Sequence, residues 1–164
     1  MKLRFVVKQK ILTFSDDFII YDQNKRPAYK VYGQLFTLGN KLTIHSMGNG
    51  DEIYIKQKIF KLLPEYHLYR NGVNLAVIRK DFTFFKPKFS IDSPSGYYKV
   101  SGDFFNYNFK ISKDGRIVTT VGKKFFAMKD TYTVDIVEGE DESLLLAMCI
   151  VIDQVFHDNN HNNN

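Results

Sequence analysis

Nine consecutive apolar residues at positions 144–152 (LLLAMCIVI) constrain this chain more than any other feature. The wider segment 143–156 is rich in Leu, Ala and Met and holds no Gly or Pro, so it reads as a helix. Apolar side chains at nine successive positions cover the whole circumference for about two and a half turns. A helix with no polar face is stable only when it is enclosed on all sides. Its length is about 21 Å, at about 1.5 Å per residue. That is short of the roughly 20 residues a membrane span needs, but it matches a strand of about six residues.

The first 138 or so residues supply strands to enclose it. Short runs of β-branched and aromatic residues alternate with polar ones over 17–22, 29–36, 41–47, 65–70, 73–80, 97–105, 108–112, 116–123 and 131–137. Asn71-Gly72 is a strong hairpin signal because both positions tolerate positive φ, and Lys113-Asp114-Gly115 marks another turn. About twelve short strands at close spacing suggest a sandwich or a barrel. Combined with the enclosed helix, the economical solution is a mainly-β fold. It is an about twelve-stranded closed β-barrel around a central hydrophobic C-terminal α-helix. The chain has 164 residues, which suits one domain. That domain is expected over 1–157 with its helix at about 141–157, followed by a polar disordered tail at 158–164.

The strands echo one another. Val7-Lys8-Gln9-Lys10-Ile11-Leu12 recurs as Ile55-Lys56-Gln57-Lys58-Ile59-Phe60, and weakly as Val121-Gly122-Lys123-Lys124-Phe125-Phe126. Each copy precedes an aromatic–x–aliphatic strand: Phe18-Ile19-Ile20, Tyr66-His67-Leu68 and Tyr132-Thr133-Val134. A second unit, Tyr29-Lys30-Val31-Tyr32-Gly33, recurs as Tyr98-Lys99-Val100-Ser101-Gly102. Iteration of this kind argues for one sheet built from repeated hairpins.

In these units, and in the Lys129-Asp130-Thr131-Tyr132-Thr133-Val134-Asp135 ending with its acidic turn and apolar helix, the chain resembles the bacterial LURP-one-related proteins. That family shares the tubby C-terminal-like fold with tubby proteins and phospholipid scramblases. The resemblance runs over nearly the whole chain and implies a twelve-stranded barrel around a hydrophobic helix. Tubby relatives bind phosphoinositides, but no matching head-group motif is found here, so no lipid-site residue carries over. The cysteine cluster and lipid-anchoring segments of scramblases are also missing.

Charge is divided along the chain. Residues 1–134 carry all 23 bases and 11 of the 18 acids, a net +12, whereas residues 135–164 carry seven acids and no Lys or Arg, a net −7. A body this basic attracts lipid head groups, nucleic acid or acidic proteins. On a strand, residues i and i+2 share a face. Lys8 with Lys10, Lys56 with Lys58 and Lys86 with Lys88 are therefore expected to project outward in pairs and to be the anionic head-group-binding residues. Lys123 and Lys124 alternate sides.

Catalysis has little to stand on. His45, His67, His157 and His161 lack metal-ligand spacing on one element, and one cysteine excludes both a disulfide framework and a cysteine zinc site. Cys149 lies within the apolar run and is expected to be a buried structural thiol. Asp16-Asp17 reads as a turn, not an acid/base pair. The acidic run Glu138, Glu140, Asp141 and Glu142 lacks the order of a calcium loop and suits the start of a helix. No enzyme activity, metal or cofactor is expected.

The leading expectation is a non-enzymatic binding module for anionic phospholipid or phosphoinositide head groups. The protein is expected to be cytoplasmic and peripheral at a membrane, with neither a transmembrane segment nor a signal peptide. The alternative is a protein-interaction or regulatory domain without a lipid ligand. An exposed aromatic patch drawn from Phe82, Phe84, Phe85, Phe104, Phe105 and Tyr107 would favour that alternative. Single-stranded nucleic-acid binding ranks third. Small-molecule storage is disfavoured because the helix occupies the barrel.

Overall fold

A computed structural model describes residues 1–8, 17–33, 39, 41–123 and 131–158. Twelve strands are followed by one helix. The strands are β1 (Lys2–Lys8), β2 (Phe18–Asp22), β3 (Pro27–Gly33), β4 (Lys41–Ser46), β5 (Glu52–Gln57) and β6 (Glu65–Arg70), then β7 (Val73–Lys80), β8 (Phe89–Asp92), β9 (Tyr98–Asp103), β10 (Asn108–Lys113), β11 (Arg116–Gly122) and β12 (Thr131–Val137). The helix is α1 (Glu142–Asp158). Each strand pairs antiparallel with its neighbours in the chain, and β1 closes on β12 from Lys2↔Val137 to Lys8↔Thr131. The closed barrel leaves no free sheet edge.

Local chemistry sets the tight turns. Asn71 (φ 51°) with Gly72 (φ 79°), and Asp114 (φ 50°) with Gly115 (φ 81°), both occupy the left-handed region. Two such residues in succession make the two-residue turn whose twist matches the flanking strands. Along the walls, side chains alternate inward and outward. Leu42 and Ile44 on β4, and Ile53 and Ile55 on β5, point into the core while their neighbours are half-buried or exposed. The interior is filled by α1, in which every residue from Leu144 to Ile152 is at most 1% exposed. A helix with no polar face has thus been enclosed on all sides.

The echoes fall at equivalent places. Tyr29 and Val31 of β3, and Tyr98 and Val100 of β9, are all buried inward positions. So are Tyr66 and Leu68 of β6, and Tyr132 and Val134 of β12. In both cases the partners lie six strands apart in the barrel order. The repeated basic units meet strand ends: β1 ends at Lys8, β5 at Gln57 and β11 at Gly122.

An up-and-down wall sorts its connections between two ends. The turns β2–β3, β4–β5, β6–β7, β8–β9 and β10–β11 share one end with the β12–α1 connection, where the helix enters. The connections β1–β2, β3–β4, β5–β6, β7–β8, β9–β10 and β11–β12 share the other end. There the helix finishes, with Phe156 packed edge-on against Phe105 of the β9–β10 connection at 4.3 Å.

Candidate functional site

The two ends differ in chemistry. At the entry end, Arg70 and Lys113 hold acids that surround the helix start. Arg70, at the end of β6, donates Nε and Nη2 to the two Asp51 carboxylate oxygens and Nη1 and Nη2 to the two of Asp141, all at 2.8 Å. Asp141 also accepts the Leu144 N–H at 3.1 Å, which makes it the N-cap of α1. Burial works against ionisation of Asp141, but the Arg70 and Leu144 hydrogen bonds outweigh it and hold the carboxyl below its ordinary range. Glu140 meets Lys113 at 3.3 Å, and the Tyr29 hydroxyl donates to Glu142 at 3.3 Å. Burial is the main cause that pushes the Tyr29 phenol up to about 12. The acidic run thus serves the helix start and its surroundings. Among the described residues, no cluster of three or more His, Cys, Asp or Glu could hold a metal ion.

The exit end carries lysine-bearing connections and exposed rings. The described members of the predicted lysine pairs map to it. Lys8 ends β1, and Lys10 lies outside the described residues. Lys56 is half-buried on the wall in β5. Lys58, Lys86 and Lys88, however, lie beyond strand ends, in the connections 58–64 and 81–88. The shared-strand-face geometry expected for them is therefore incorrect. A strand ends when its backbone stops finding ladder partners, and the i+2 rule ends with it. What gathers these lysines is connection parity. β5–β6 and β7–β8 are successive connections at one end, and β1 lies four strands round the wall from β5. Among the described residues, Lys58 and Lys88 have no carboxylate within ion-pair distance, while Lys86 lies in the field of Asp103. Lys61 reaches Glu65 at 3.7 Å.

The same two connections expose large apolar side chains. Phe60 is 97% exposed, Phe84 84% and Phe85 97%, with Leu62 fully exposed and Phe82 largely so. The loops are joined: the Lys80 N–H donates to the Pro64 carbonyl at 3.0 Å. Between them lies a hollow of about 320 Å³ lined by Leu62, Leu63 and Phe82 with Lys61. Phe82 and Phe84 pack edge-to-face at 5.1 Å. Asp81 and Lys88 close the base of the second loop through an N–H to carbonyl bond of 2.8 Å, and the Thr83 hydroxyl donates to the Lys86 carbonyl at 2.6 Å. Phe60 holds φ +61°, a left-handed conformation that costs a non-glycine residue about 1–2 kcal/mol. Among the described residues, its almost fully exposed ring has no ring contact in return. Aromatic side chains carry about 150–250 Å² each, so this cluster reaches or exceeds the largest apolar patch of a typical monomer, about 300–600 Å². The entry end also exposes apolar residues, Met1, Tyr21, Met47, Val73, Tyr97 and Ile117, spread over strand ends and turns.

Of the aromatic residues singled out in the sequence, Phe82, Phe84, Phe85 and Phe105 are exposed. Phe104 and Tyr107 are buried. Phe104 packs on Phe89, Phe109 and Phe156, and Tyr107 stacks on Tyr132 at 4.9 Å. Phe60 and Leu62 did not stand out in the sequence, although their place just after a repeated Lys-Gln-Lys unit was a usable signal. Cys149 is fully buried, and burial pushes its thiol well up. His161 and Asp16 lie outside the described residues. Asp17 is exposed and reaches Lys30 at 3.5 Å.

Known proteins resemble this chain along its length. The family model of LURP-one-related proteins matches residues 3–153. The uncharacterised protein YxjI of Bacillus subtilis (strain 168) is 31% identical over 155 residues, 94% of each chain. The X-ray structure of the Arabidopsis thaliana protein AT5G01750 superimposes with a TM-score of 0.69 at 16% identity, covering 94% of this chain and 91% of that one. The structural likeness shows a shared fold.

Proposed function

The chain belongs to the LURP-one-related family, and we propose that this member is a non-enzymatic module that binds anionic phospholipid surfaces through the exit end of its barrel. On this view it is a peripheral cytoplasmic protein of the tubby-like and scramblase-like kind. The single observation that carries the reading is the placement of Lys58, Lys86 and Lys88 on two neighbouring exit-end connections that also expose large apolar side chains, where Lys58 and Lys88 have no ion-pair partner among the described residues. A lysine near an anionic membrane surface contributes about 1 kcal/mol. Three of them contribute about 3 kcal/mol, or roughly a hundredfold in partitioning.

Vesicle sedimentation at physiological salt tests this. Wild-type protein should sediment with vesicles of phosphatidylcholine and phosphatidylserine and stay in solution with phosphatidylcholine alone. Lys58→Ala/Lys86→Ala/Lys88→Ala should need roughly a hundredfold more lipid for half-binding. Equal recovery with neutral and anionic vesicles would sink the proposal. A protein-interaction role is the second reading, favoured by the exposed Phe82, Phe84, Phe85 and Phe105.

A further inference from the structure

We propose that the two exit-end loops insert Phe60, Leu62, Phe82, Phe84 and Phe85 into the interfacial layer of an anionic bilayer, so that the barrel docks end-on. This rests on the lipid-surface reading above and narrows its ligand from any anion to a bilayer.

The loop sequences mix two kinds of side chain at close spacing. The first loop runs Lys58-Ile59-Phe60-Lys61-Leu62-Leu63, and the second Phe82-Thr83-Phe84-Phe85-Lys86-Pro87-Lys88. A soluble polyanion would be served by the lysines alone, and it gives no return for holding Leu62 and Phe85 in water. Nucleic acid would use rings for base stacking, but Leu62 offers no π-face. Protein interfaces are enriched in Phe but depleted in lysine at their core, whereas these loops interleave Lys58, Lys61, Lys86 and Lys88 with their apolar side chains. A bilayer interface accommodates both kinds. Apolar groups sit about 5–10 Å deep at the headgroup–acyl boundary, and lysine stems run alongside them and carry their ammonium groups back to the phosphates.

The arrangement also has the required geometry. Both loops leave the barrel at the same end and are tied at their bases by the Lys80–Pro64 bond, so both project from one stretch of the rim. The left-handed Phe60 backbone holds that ring clear of the wall. Among the described residues, no helix is long and apolar enough to cross a membrane.

The test separates insertion from adsorption. The only native cysteine, Cys149, is buried, so a thiol-reactive, polarity-sensitive dye labels Phe84→Cys selectively. Tyr97→Cys, on the β8–β9 turn, reports the entry end. With vesicles of phosphatidylcholine and phosphatidylserine, dye at 84 should shift to the blue and brighten, and dye at 97 should not change. A Phe60→Ser/Leu62→Ser/Phe84→Ser/Phe85→Ser variant should need at least tenfold more lipid for half-binding. It should retain the wild-type near-ultraviolet circular dichroism, because all four positions are exposed.

Sedimentation with anionic vesicles and no shift at 84 would overturn insertion and leave the electrostatic reading standing. Insertion into neutral vesicles, unaffected by the lysine substitutions, would do the reverse. Self-association by analytical ultracentrifugation without lipid, abolished by the serine variant and accompanied by no dye shift on vesicles, would overturn insertion in favour of a protein interface.

Discussion

Replacing Arg70 with methionine should destabilise the fold by about 2–3 kcal/mol, chiefly by releasing the start of the helix from the wall. The side chain makes four hydrogen bonds, two to Asp51 in the β4–β5 turn and two to the N-cap Asp141. Breaking a buried ion pair on one side costs about 3–5 kcal/mol, and a fully exposed pair contributes about 0.2–1 kcal/mol. Here the side chains of Arg70, Asp51 and Asp141 are 26%, 23% and 34% exposed, so solvent screens them in part. An intermediate figure follows. At about 2–4 °C per kcal/mol for a chain of this length, the midpoint should fall by about 5–10 °C.

Urea unfolding followed by far-ultraviolet circular dichroism measures the change, since the chain has no tryptophan. Asp141→Asn keeps the capping acceptor and removes the charge, so a cycle with Arg70→Met should show at least about 1 kcal/mol of coupling. The pH dependence has a defined sign. The folded Asp141 carboxyl titrates below its unfolded value of about 3.9. Its contribution is therefore complete above about pH 5 and lost as pH falls through the folded value. The gap between wild type and Arg70→Met should stay constant from about pH 5 to 8 and narrow below about pH 4. A loss under about 0.5 kcal/mol, or an additive cycle, would refute the clamp.

Gly102→Ala on β9 should cost about 3–5 kcal/mol, because its φ is +134° and a Cβ would meet the Asn108 carbonyl oxygen at 2.4 Å and the Phe109 Cα at 2.6 Å, both backbone. Gly50→Ala, at φ +73° with open space around it, should cost only about 1–2 kcal/mol in the same urea assay. Cys149 should resist iodoacetamide in native protein, with its modification tracking unfolding across a denaturant series; fast labelling under native conditions would contradict an enclosed helix.

Much of the architecture was legible because it follows from local chemistry. The apolar circumference of 144–152 demanded enclosure, Asn71-Gly72 demanded a hairpin, and alternation along 41–47 marked one buried face. The lysine site was legible only in part. Lys58, Lys86 and Lys88 were recognised, but the period-2 rule was applied past the ends of β5 and β7, where the ladder had stopped. Their gathering depends on strand parity in a closed meander, a global property that no short window of sequence contains. Phe104 and Phe105 show the same limit. They are identical neighbours in a connection, yet one packs beneath Phe89 while the other lies largely open over the end of the helix. Only the path of the barrel rim separates them.

The enclosure of α1 also bears on the order in which the protein is made. The ribosome releases all twelve strands before the element they surround. At about 5–20 residues per second, roughly 140 residues emerge over some 7–30 seconds during which the inward faces of β2 to β11 have nothing to close upon. β1 must wait as long for β12, its partner across the seam. A nascent chain of this design carries a sticky, unfilled sheet for most of its synthesis. Truncation before Glu142 should therefore yield aggregate instead of a loosened barrel, and chaperone demand should end abruptly once the helix clears the exit tunnel.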